Sequence, residues 1–198
     1  LFSQCIANQC AQLLTELPKS AILELGAGSG RMATEILLHL ERLACLPEHY
    51  FILDLSPDLQ ARQHETLTQY APHLLHKVQW LTSLPTEPFQ GVILGNEVLD
   101  AMPVELFTLT EDGIIQVQVS VEQNEFIFTQ QASAGVEAIQ ALLPAELDLP
   151  YTSEFNPAIA PWIQSLADCL AAGAILLIDY GYERADYYHP ERRQGTLL

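Results

Sequence analysis

The sequence predicts an α/β protein whose parallel sheet of five strands, in the order 3-2-1-4-5, is covered by helices. The first observation is an apolar run at residues 21–25, which is followed by glycines at positions 26, 28 and 30. After these glycines, apolar residues recur at helical spacing. The second is that strand-like and helix-like patterns alternate from there to about residue 95. Right-handed crossovers that reverse direction after the third strand give this order. The third is a β-rich stretch at about residues 104–130, which predicts an inserted antiparallel meander.

The elements of the first half follow from apolar spacing and from helix signals. Residues 1–17 carry one apolar face at helical spacing, and Pro18 ends that helix. A helix follows the glycine turn to about Leu43, and a second strand is predicted at residues 50–55. Ser56 and Pro57 supply an N-cap and a first-turn proline for a helix that runs to about Tyr70. The third and fourth strands are predicted at residues 77–82 and 91–95.

The second half departs from this alternation. Three β-rich segments, 104–110, 114–121 and 125–129, are separated by turn sequences and form the predicted meander. Residues 144–157 contain three prolines and are expected to be irregular. A helix is predicted to begin at Asn156-Pro157 and to end at Gly173, and the last strand is expected at residues 174–179.

Length and composition predict one globular domain. The 198 residues, 49% of them apolar, can bury one sizeable core, so residues 1–198 are expected to form a single domain. The chain begins at Leu1 without a methionine and closes without a polar tail, from which we expect a fragment truncated at both ends. No apolar run approaches the roughly eighteen residues of a membrane span, so membrane insertion is not expected.

The charge balance restricts the classes of partner. Eight basic and twenty-five acidic residues give a net charge of -17, which opposes binding to nucleic acid or to anionic lipid. The natural electrostatic complement is a cationic partner, and the alternative is an acidic surface that serves only solubility. The four cysteines form no C-x-x-C pair, and among the histidines only His73 and His76 share a helix-like spacing, so no metal site is expected.

The glycine turn indicates a nucleotide-like ligand, although an ordinary strand-to-helix turn with incidental glycines is the alternative. Glycine tolerates positive φ and, without a Cβ, lets a bound molecule approach the backbone. A dinucleotide fingerprint needs a third glycine three positions after the second, where this chain has Arg31. The spacing found in this chain, Gly26-x-Gly28-x-Gly30 with Glu24 two residues ahead, resembles the first motif of the S-adenosylmethionine (SAM) methyltransferases. A methyltransferase therefore ranks ahead of an NAD(P)-dependent oxidoreductase.

Polar side chains stand where the second and fourth predicted strands end. Asp54 closes the second strand, and this fold type places an acid there against a ribose. Asn96 and Glu97 follow the fourth strand and should emerge beside the glycine turn, because ligands of open α/β sheets bind beyond the carboxyl ends of the strands. The alternative is that a helix starts in this segment and that Asn96 or Asp100 caps it. For Asp100, a role in the site and a role as a helix cap are equally consistent with the sequence.

Four segments, taken together, resemble the MidA family of SAM-dependent methyltransferases, which are related to a mitochondrial complex I assembly factor that methylates an arginine. The segments are Glu24-Leu-Gly-Ala-Gly-Ser-Gly30; Leu53-Asp-Leu-Ser-Pro57 with Gln63; Gly95-Asn-Glu-Val-Leu-Asp-Ala-Met-Pro-Val104; and Leu177-Ile-Asp-Tyr-Gly-Tyr182 followed by Gly195-Thr-Leu197. The family usually continues beyond both ends of this chain. It commonly has an arginine where Ser29 stands and often a glutamate where Asp54 stands.

The resemblance implies a Rossmann-like, class I methyltransferase sheet with SAM as cofactor. It implies contacts to SAM from Glu24, from the three glycines of the turn and from Asn96, with Asp54 on the ribose hydroxyls. Asn96 and Glu97 would face the transferred methyl group. A guanidinium acceptor also needs carboxylates that hold the cation and help to remove a proton, which Glu97 and Asp100 could supply. Asp179, at the end of the fifth strand, is a further candidate or a residue that shapes the pocket.

The resemblance implies that the function is methyl transfer to an arginine side chain of a protein. The resemblance implies a respiratory-complex subunit or another arginine-bearing protein as the partner. It implies the cytoplasm of a bacterium or the mitochondrial matrix of a eukaryote as the compartment. Two alternatives stay open: a non-catalytic assembly or interaction protein on the same SAM-binding fold, and an NAD(P)-binding oxidoreductase.

Overall fold

A computed structural model of the chain describes residues 1–132, 136–144 and 147–196. Leu197, which belongs to the fourth MidA-like segment, lies outside the described residues. The chain divides into two compact units, Leu1–Asp100 with Ala160–Asp179 and Ala101–Ile159 with Tyr180–Leu198. The single domain expected from length stays a prediction, because compact units need not fold independently of each other.

Helices and strands are numbered separately in chain order. The helices are α1 (Phe2–Leu14), α2 (Arg31–Arg42), α3 (Pro57–Tyr70), α4 (Val136–Leu142), α5 (Ile159–Asp168) and α6 (Arg184–Tyr187), with short 3-10 helices at Pro72–Lys77 and Pro190–Arg192. The strands are β1 (Ala21–Leu25), β2 (His49–Leu53), β3 (Val78–Leu81), β4 (Phe89–Asn96), β5 (Glu105–Thr110), β6 (Gly113–Glu122), β7 (Glu125–Ala132), β8 (Tyr151–Phe155) and β9 (Leu170–Ile178). No helix in these ranges is long and apolar enough to cross a membrane.

The first unit is built on a parallel sheet in the order β3-β2-β1-β4-β9. With β9 as the fifth parallel strand, this is the predicted order 3-2-1-4-5, and the fold class is confirmed. Every residue of the central strand β1 is buried. Its Ile22 packs with the apolar faces of α1 and α2 on one side of the sheet, while Leu23 packs with Leu166 of α5 on the other.

The second unit contains an antiparallel sheet in the order β7-β6-β5-β8. The strands β5, β6 and β7 confirm the predicted meander, and the turn between β6 and β7 places Gln123 and Asn124 at φ values of 51 and 67°. That pair of left-handed residues is the backbone form that a two-residue hairpin turn requires. The core of this unit contains Phe107, Ile114 and other apolar side chains, namely Ile139 and Phe155.

The prediction that residues 144–157 are irregular is wrong, because β8 lies within them. It pairs antiparallel with β5, from Glu105 opposite Phe155 to Leu109 opposite Tyr151. Pro144, Pro150 and Pro157 all lie outside the strand, so none of them removes a donor from its ladder. The free edge of β5 supplies partners that a local proline count does not reveal.

The predicted boundaries around the last strand also need correction. The helix begins at Ile159 and ends at Asp168, and β9 starts at Leu170, so Gly173 is a strand residue and not a helix end. In β9, Gly173 pairs with Gly91 of β4, which pairs with Ala21 of β1. A Cβ on Gly173 would overlap the backbone of Gly91. Close approach of neighbouring strands therefore explains this glycine.

Candidate functional site

The glycine turn joins β1 to α2 and has the backbone conformation that its sequence predicts. Gly26, Gly28 and Gly30 have φ values of 63, 53 and 76°. A Cβ on Gly30 would lie 2.8 Å from the Cα of Gln63, so the close approach of α3 adds a steric requirement to the positive φ. The Gly26 N–H donates to the carbonyl of Leu53 at 3.0 Å, which ties the start of the turn to the end of β2.

Glu24 lies on β1, directly before the turn, with its side chain fully buried. The Tyr50 hydroxyl donates to Glu24 Oε2 at 2.5 Å, whereas Oε1 has no hydrogen-bond partner among the described residues. Burial raises the pKa of Glu24 from 4.5 to about 7, and the hydrogen bond from Tyr50 partly opposes that rise. A buried carboxylate with one unpaired oxygen fits a cationic group that enters from outside the chain.

Asp54 stands directly after β2 and is held on both carboxylate oxygens. Its Oδ1 accepts from the Ser56 backbone N–H at 3.0 Å, and its Oδ2 accepts from the Gln63 side-chain amide at 2.8 Å. Each carboxylate oxygen has two lone pairs, so Asp54 keeps capacity for further donors such as ribose hydroxyls. Its role in binding a ribose stays a prediction.

Gln63 connects three parts of the site. Its amide nitrogen also donates to the Gly28 carbonyl at 3.1 Å, and its Oε1 accepts from the Trp80 indole at 3.0 Å. The side chain is fully buried, so these bonds position Asp54 relative to the glycine turn in the absence of competing water. The sequence indicates no role for Gln63 beyond its place in the MidA-like segments, because a polar residue on a helix is ordinarily exposed.

A cleft of about 480 Å³ opens where β1 and β4 end, and it brings together residues that the sequence singled out separately. Among the predicted site residues, those that line it are Glu24, Gly26, Gly28, Asn96 and Glu97. Gly30, Asp54 and Asp100 do not line this cleft. The cleft is therefore the candidate site for the turn-bound part of a ligand and for the reacting group.

Glu97 extends from the end of β4 with its carboxylate exposed in the cleft. Its φ is 52°, a left-handed conformation that is uncommon for a residue other than glycine, and its N–H donates to the Ile178 carbonyl at 2.8 Å. Such conformations cost about 1–3 kcal/mol and concentrate at functional sites. This backbone geometry supports a functional role for Glu97.

The loop after β4 is held by Asp179, which follows β9 immediately. Asp179 Oδ2 accepts backbone N–H groups of Leu99 at 2.7 Å and of Asp100 at 3.2 Å. No helix begins in residues 97–103, which form turns and bends, so the alternative of a capped helix start is wrong. Asp100 is exposed outside the lining of the cleft, and its catalytic role stays a prediction.

Two helices contribute residues to the cleft that the sequence did not single out. Phe2 and Ser3, from the first turn of α1, line it together with Arg31 and Glu35 of α2. Arg31 and Glu35 form an ion pair at 3.1 Å, and hydrogen bonds from Ser3 and then from Arg31 lower the pKa of Glu35. The apolar periodicity of α1 predicts its packing on the sheet but does not indicate that its first turn reaches a ligand site.

The geometry fits the cofactor class implied by the sequence. Gly26 and Gly28 of the turn present backbone without a side chain to the cleft, and the same cleft is lined by Glu24, whose Oε1 has no hydrogen-bond partner among the described residues. A ligand with a slim amino-acid chain can lie against the glycine backbone and place its ammonium group at Glu24. SAM has such a chain attached to its sulfonium sulfur. The described residues contain no group of three or more histidines, cysteines and acids that could hold a metal ion.

Comparisons with known proteins bear on these expectations. The chain matches, over residues 5–198, a family described as "putative S-adenosyl-L-methionine-dependent methyltransferase". Two crystal structures of COG1565 superfamily proteins from Burkholderia thailandensis are each 39% identical to this chain and cover 98% of it, with TM-scores of 0.90 and 0.91. The second contains bound S-adenosylhomocysteine. The 3-methylorcinaldehyde synthase tropA of Talaromyces stipitatus is 35% identical over 94 residues, which are 44% of this chain.

These relatives are longer than the chain. It spans 52% and 50% of the two crystallised proteins and 4% of the synthase. S-adenosylhomocysteine is what SAM becomes when its methyl group is removed, so its presence in a relative with the same fold agrees with the family description. The cofactor prediction is therefore confirmed.

Proposed function

The chain belongs to this S-adenosyl-L-methionine-dependent methyltransferase family. We propose that the whole protein methylates an arginine side chain of a protein substrate. The observation that carries the proposal is the shared cleft, which is lined by the glycine turn, by Glu24 and by the exposed carboxylate of Glu97. The proposal includes membership of the MidA group within the family, because the four MidA-like segments run in order along nearly the whole chain.

Different residues of the site are proposed to bind different parts of the cofactor. Glu24 holds the ammonium group of the cofactor, the glycine turn contacts its amino-acid portion through backbone atoms, and Asp54 binds the ribose hydroxyls. The bound cofactor supplies an electrophilic methyl group on a positively charged sulfur. The protein's main task is then to orient the acceptor nitrogen in line with the methyl-sulfur bond.

The acceptor end is assigned to Glu97, with Asn96 beside it. A carboxylate binds a planar guanidinium through paired hydrogen bonds and localises its positive charge away from the attacking nitrogen. Once the new nitrogen-carbon bond forms, that nitrogen must lose a proton, which the same carboxylate can accept. Asn96 can contribute an amide donor and an acceptor to orient either partner. Asp100 is retained as a second carboxylate for the cation.

The acidic character of the chain supports a cationic substrate. The net charge of -17 attracts an arginine-bearing protein and repels nucleic acid and anionic lipid. A respiratory-complex subunit or another arginine-bearing protein is proposed as the partner, in the cytoplasm of a bacterium or in the mitochondrial matrix of a eukaryote. The NAD(P) alternative loses support, since Arg31 occupies the place of its third glycine.

The decisive experiment compares protein methylarginine with and without the gene. Mass spectrometry of lysates from the source organism should reveal at least one methylarginine that disappears on deletion of the gene. The modification should return when wild-type full-length protein is supplied. It should also return with the control Glu87→Gln, since Glu87 is exposed and does not line the cleft. A non-catalytic protein on the same fold would bind SAM, but no methylarginine would disappear when its gene is deleted. That result would contradict the proposal and favour the non-catalytic alternative.

A further inference from the structure

The hairpin of β6 and β7 presents an apolar surface that the candidate functional site does not use. Four side chains form this surface, which we call the ribbon face: Val119, Val121, Phe126 and Phe128, with 62, 62, 83 and 71% of their areas exposed. Val119 stands directly opposite Phe128, and Val121 directly opposite Phe126, so all four point to the same side of the hairpin. Contiguous exposed apolar groups of this kind mark interaction surfaces.

The hairpin also ends the sheet with an open edge. The strand β7 is the outermost strand in the order β7-β6-β5-β8, and no described strand pairs with its outer side. An outermost strand carries backbone N–H and C=O groups that can bind another strand. Extended protein segments use such edges by adding a strand, whose alternate side chains then contact one face of the sheet.

The charge near the open edge of β7 indicates which kind of strand could bind there. Glu122 stands directly opposite Glu125 near the hairpin turn, an arrangement of like charges that is unfavourable without a cation nearby. Residues 101–159, which belong to the same unit as the hairpin, include nine acidic residues and no lysine or arginine. A second copy of a chain with a net charge of -17 would bring like charges together at this edge, whereas a basic segment would neutralise them.

We propose that β7 and the ribbon face bind an extended basic segment of a protein, which adds as a further strand to the sheet. In such a strand, apolar side chains at alternate positions pack on Phe126 and Phe128. The lysines or arginines between them lie on the other face of the sheet, on the side of Glu122 and Glu125. This binding goes beyond the proposed function, because it requires neither SAM nor methyl transfer.

The test uses the 198-residue chain and short synthetic peptides labelled with a fluorophore. A peptide that alternates valine and arginine should bind at least tenfold more tightly than one that alternates valine and glutamate. The affinity should fall when sodium chloride is raised from about 0.05 to about 0.5 M, because salt screens exposed charges. A valine-arginine peptide with an N-methyl group on every residue should lose most of its binding, since neither of its edges can then donate to a backbone ladder.

Variants of the chain locate the binding. The double substitution Phe126→Ser and Phe128→Ser should weaken the valine-arginine peptide at least tenfold. Leu142→Ser is the matched control, because Leu142 is an exposed apolar residue of the same unit outside the ribbon face. Circular dichroism of each variant verifies that it is folded.

Three results would overturn the proposal. The first is equal binding of the valine-arginine and valine-glutamate peptides. The second is unchanged binding after N-methylation or after the double substitution. The third is dimerisation of the peptide-free chain that the double substitution abolishes, which would assign the ribbon face to a second copy.

Discussion

The Oδ2 atom of Asp179 lies 2.7 Å from the backbone nitrogen of Leu99, and this bond ties the end of β9 to the loop that follows β4. The same loop begins with Glu97, whose N–H is bound to the Ile178 carbonyl and whose φ is 52°. The carboxylate proposed to meet the substrate is thus held in an uncommon backbone conformation by contacts from the neighbouring strand. Asp179 is a positioning residue in this arrangement.

Asp179→Ala in the full-length protein should lower the rate of methyl transfer by about tenfold to a hundredfold, because small displacements of an orienting group have effects of that size. SAM affinity should stay within a few-fold, since Asp179 does not line the cleft around the glycine turn. Steady-state kinetics and calorimetry measure the two quantities. Asp179→Asn keeps one accepting oxygen and should restore part of the rate, whereas equal rates for both variants would contradict a positioning role. Asp168→Ala is the control, because Asp168 is exposed to solvent.

Asp54→Ala should weaken SAM binding by tenfold or more and leave the fold intact. Each charge-assisted hydrogen bond to a ribose hydroxyl is worth about 1.5–3 kcal/mol. Isothermal calorimetry with SAM gives the affinity, and circular dichroism verifies the fold. Asp58→Ala is the matched control, because Asp58 lies on the first turn of α3 and is exposed to solvent. Equal affinities of the two variants would remove the ribose assignment.

Glu24→Gln should reduce the pH dependence of the free energy of unfolding between about pH 4.5 and about pH 7. Burial raises the pKa of Glu24 from 4.5 to about 7, so over this interval the folded chain holds a proton that the unfolded chain has released. The resulting stabilisation is fully present below pH 4.5 and is lost as the pH rises through about 7. The total change is about 3 kcal/mol. Urea unfolding of wild type and variant at pH 5 and pH 8 measures it.

The same substitution tests whether Glu24 meets the cofactor's ammonium group. A cation beside the carboxylate favours its ionised form, so SAM binding near pH 6.5 should release a proton from Glu24. Calorimetry in two buffers of different ionisation enthalpy counts the released protons. Wild type should release more than Glu24→Gln, and Glu87→Gln, which changes an exposed carboxylate, should match wild type. Identical counts for wild type and Glu24→Gln would place the ammonium group elsewhere.

Glu97→Gln separates the electrostatic role of this residue from its shape. We expect methyl transfer by the full-length protein to fall by roughly a hundredfold or more, the scale on which one oriented electrostatic group acts. SAM affinity should stay within a few-fold, because Glu24, the glycine turn and Asp54 hold the cofactor. The rate per folded molecule and the melting temperature are both measured. A lower melting temperature with an unchanged rate would falsify the catalytic role and leave Glu97 as a loop-bracing residue.

Glu154→Ala should lower the free energy of unfolding by about 3 kcal/mol or more, since several charge-assisted bonds are lost at once. The buried Glu154 carboxylate accepts from the Thr196 backbone N–H at 2.7 Å, from the Thr196 hydroxyl at 3.0 Å and from the Tyr187 hydroxyl at 3.1 Å. These bonds fasten residues 187 and 196 to β8. Urea denaturation measures the loss, and Glu122→Ala, which alters an exposed carboxylate of the same unit, should change it by less than about 0.5 kcal/mol. Similar losses in the two variants would contradict this account.

Local sequence patterns were sufficient to predict the parallel sheet, its strand order and the meander. Apolar runs that alternate with helical periods encode which faces are buried, and the handedness of crossovers then leaves few arrangements of the strands. The three glycines of the turn were recognisable because positive φ is a property of the local backbone. Asp54 could be placed at the edge of the sheet because it directly follows a strand. Residues 96 and 97 could be placed beside the turn for the same reason.

Other features depend on contacts between distant parts of the chain and became visible only in three dimensions. The strand β8 forms because β5 offers an edge 42 to 50 residues earlier in the chain, and Gly173 is needed because another backbone passes against it. Gln63 is bound to Asp54 and to the Gly28 carbonyl, and Asp179 to a loop 80 residues earlier. A hydrogen bond from one polar side chain leaves no periodic trace in sequence, so these relationships exist only once packing has brought their partners together.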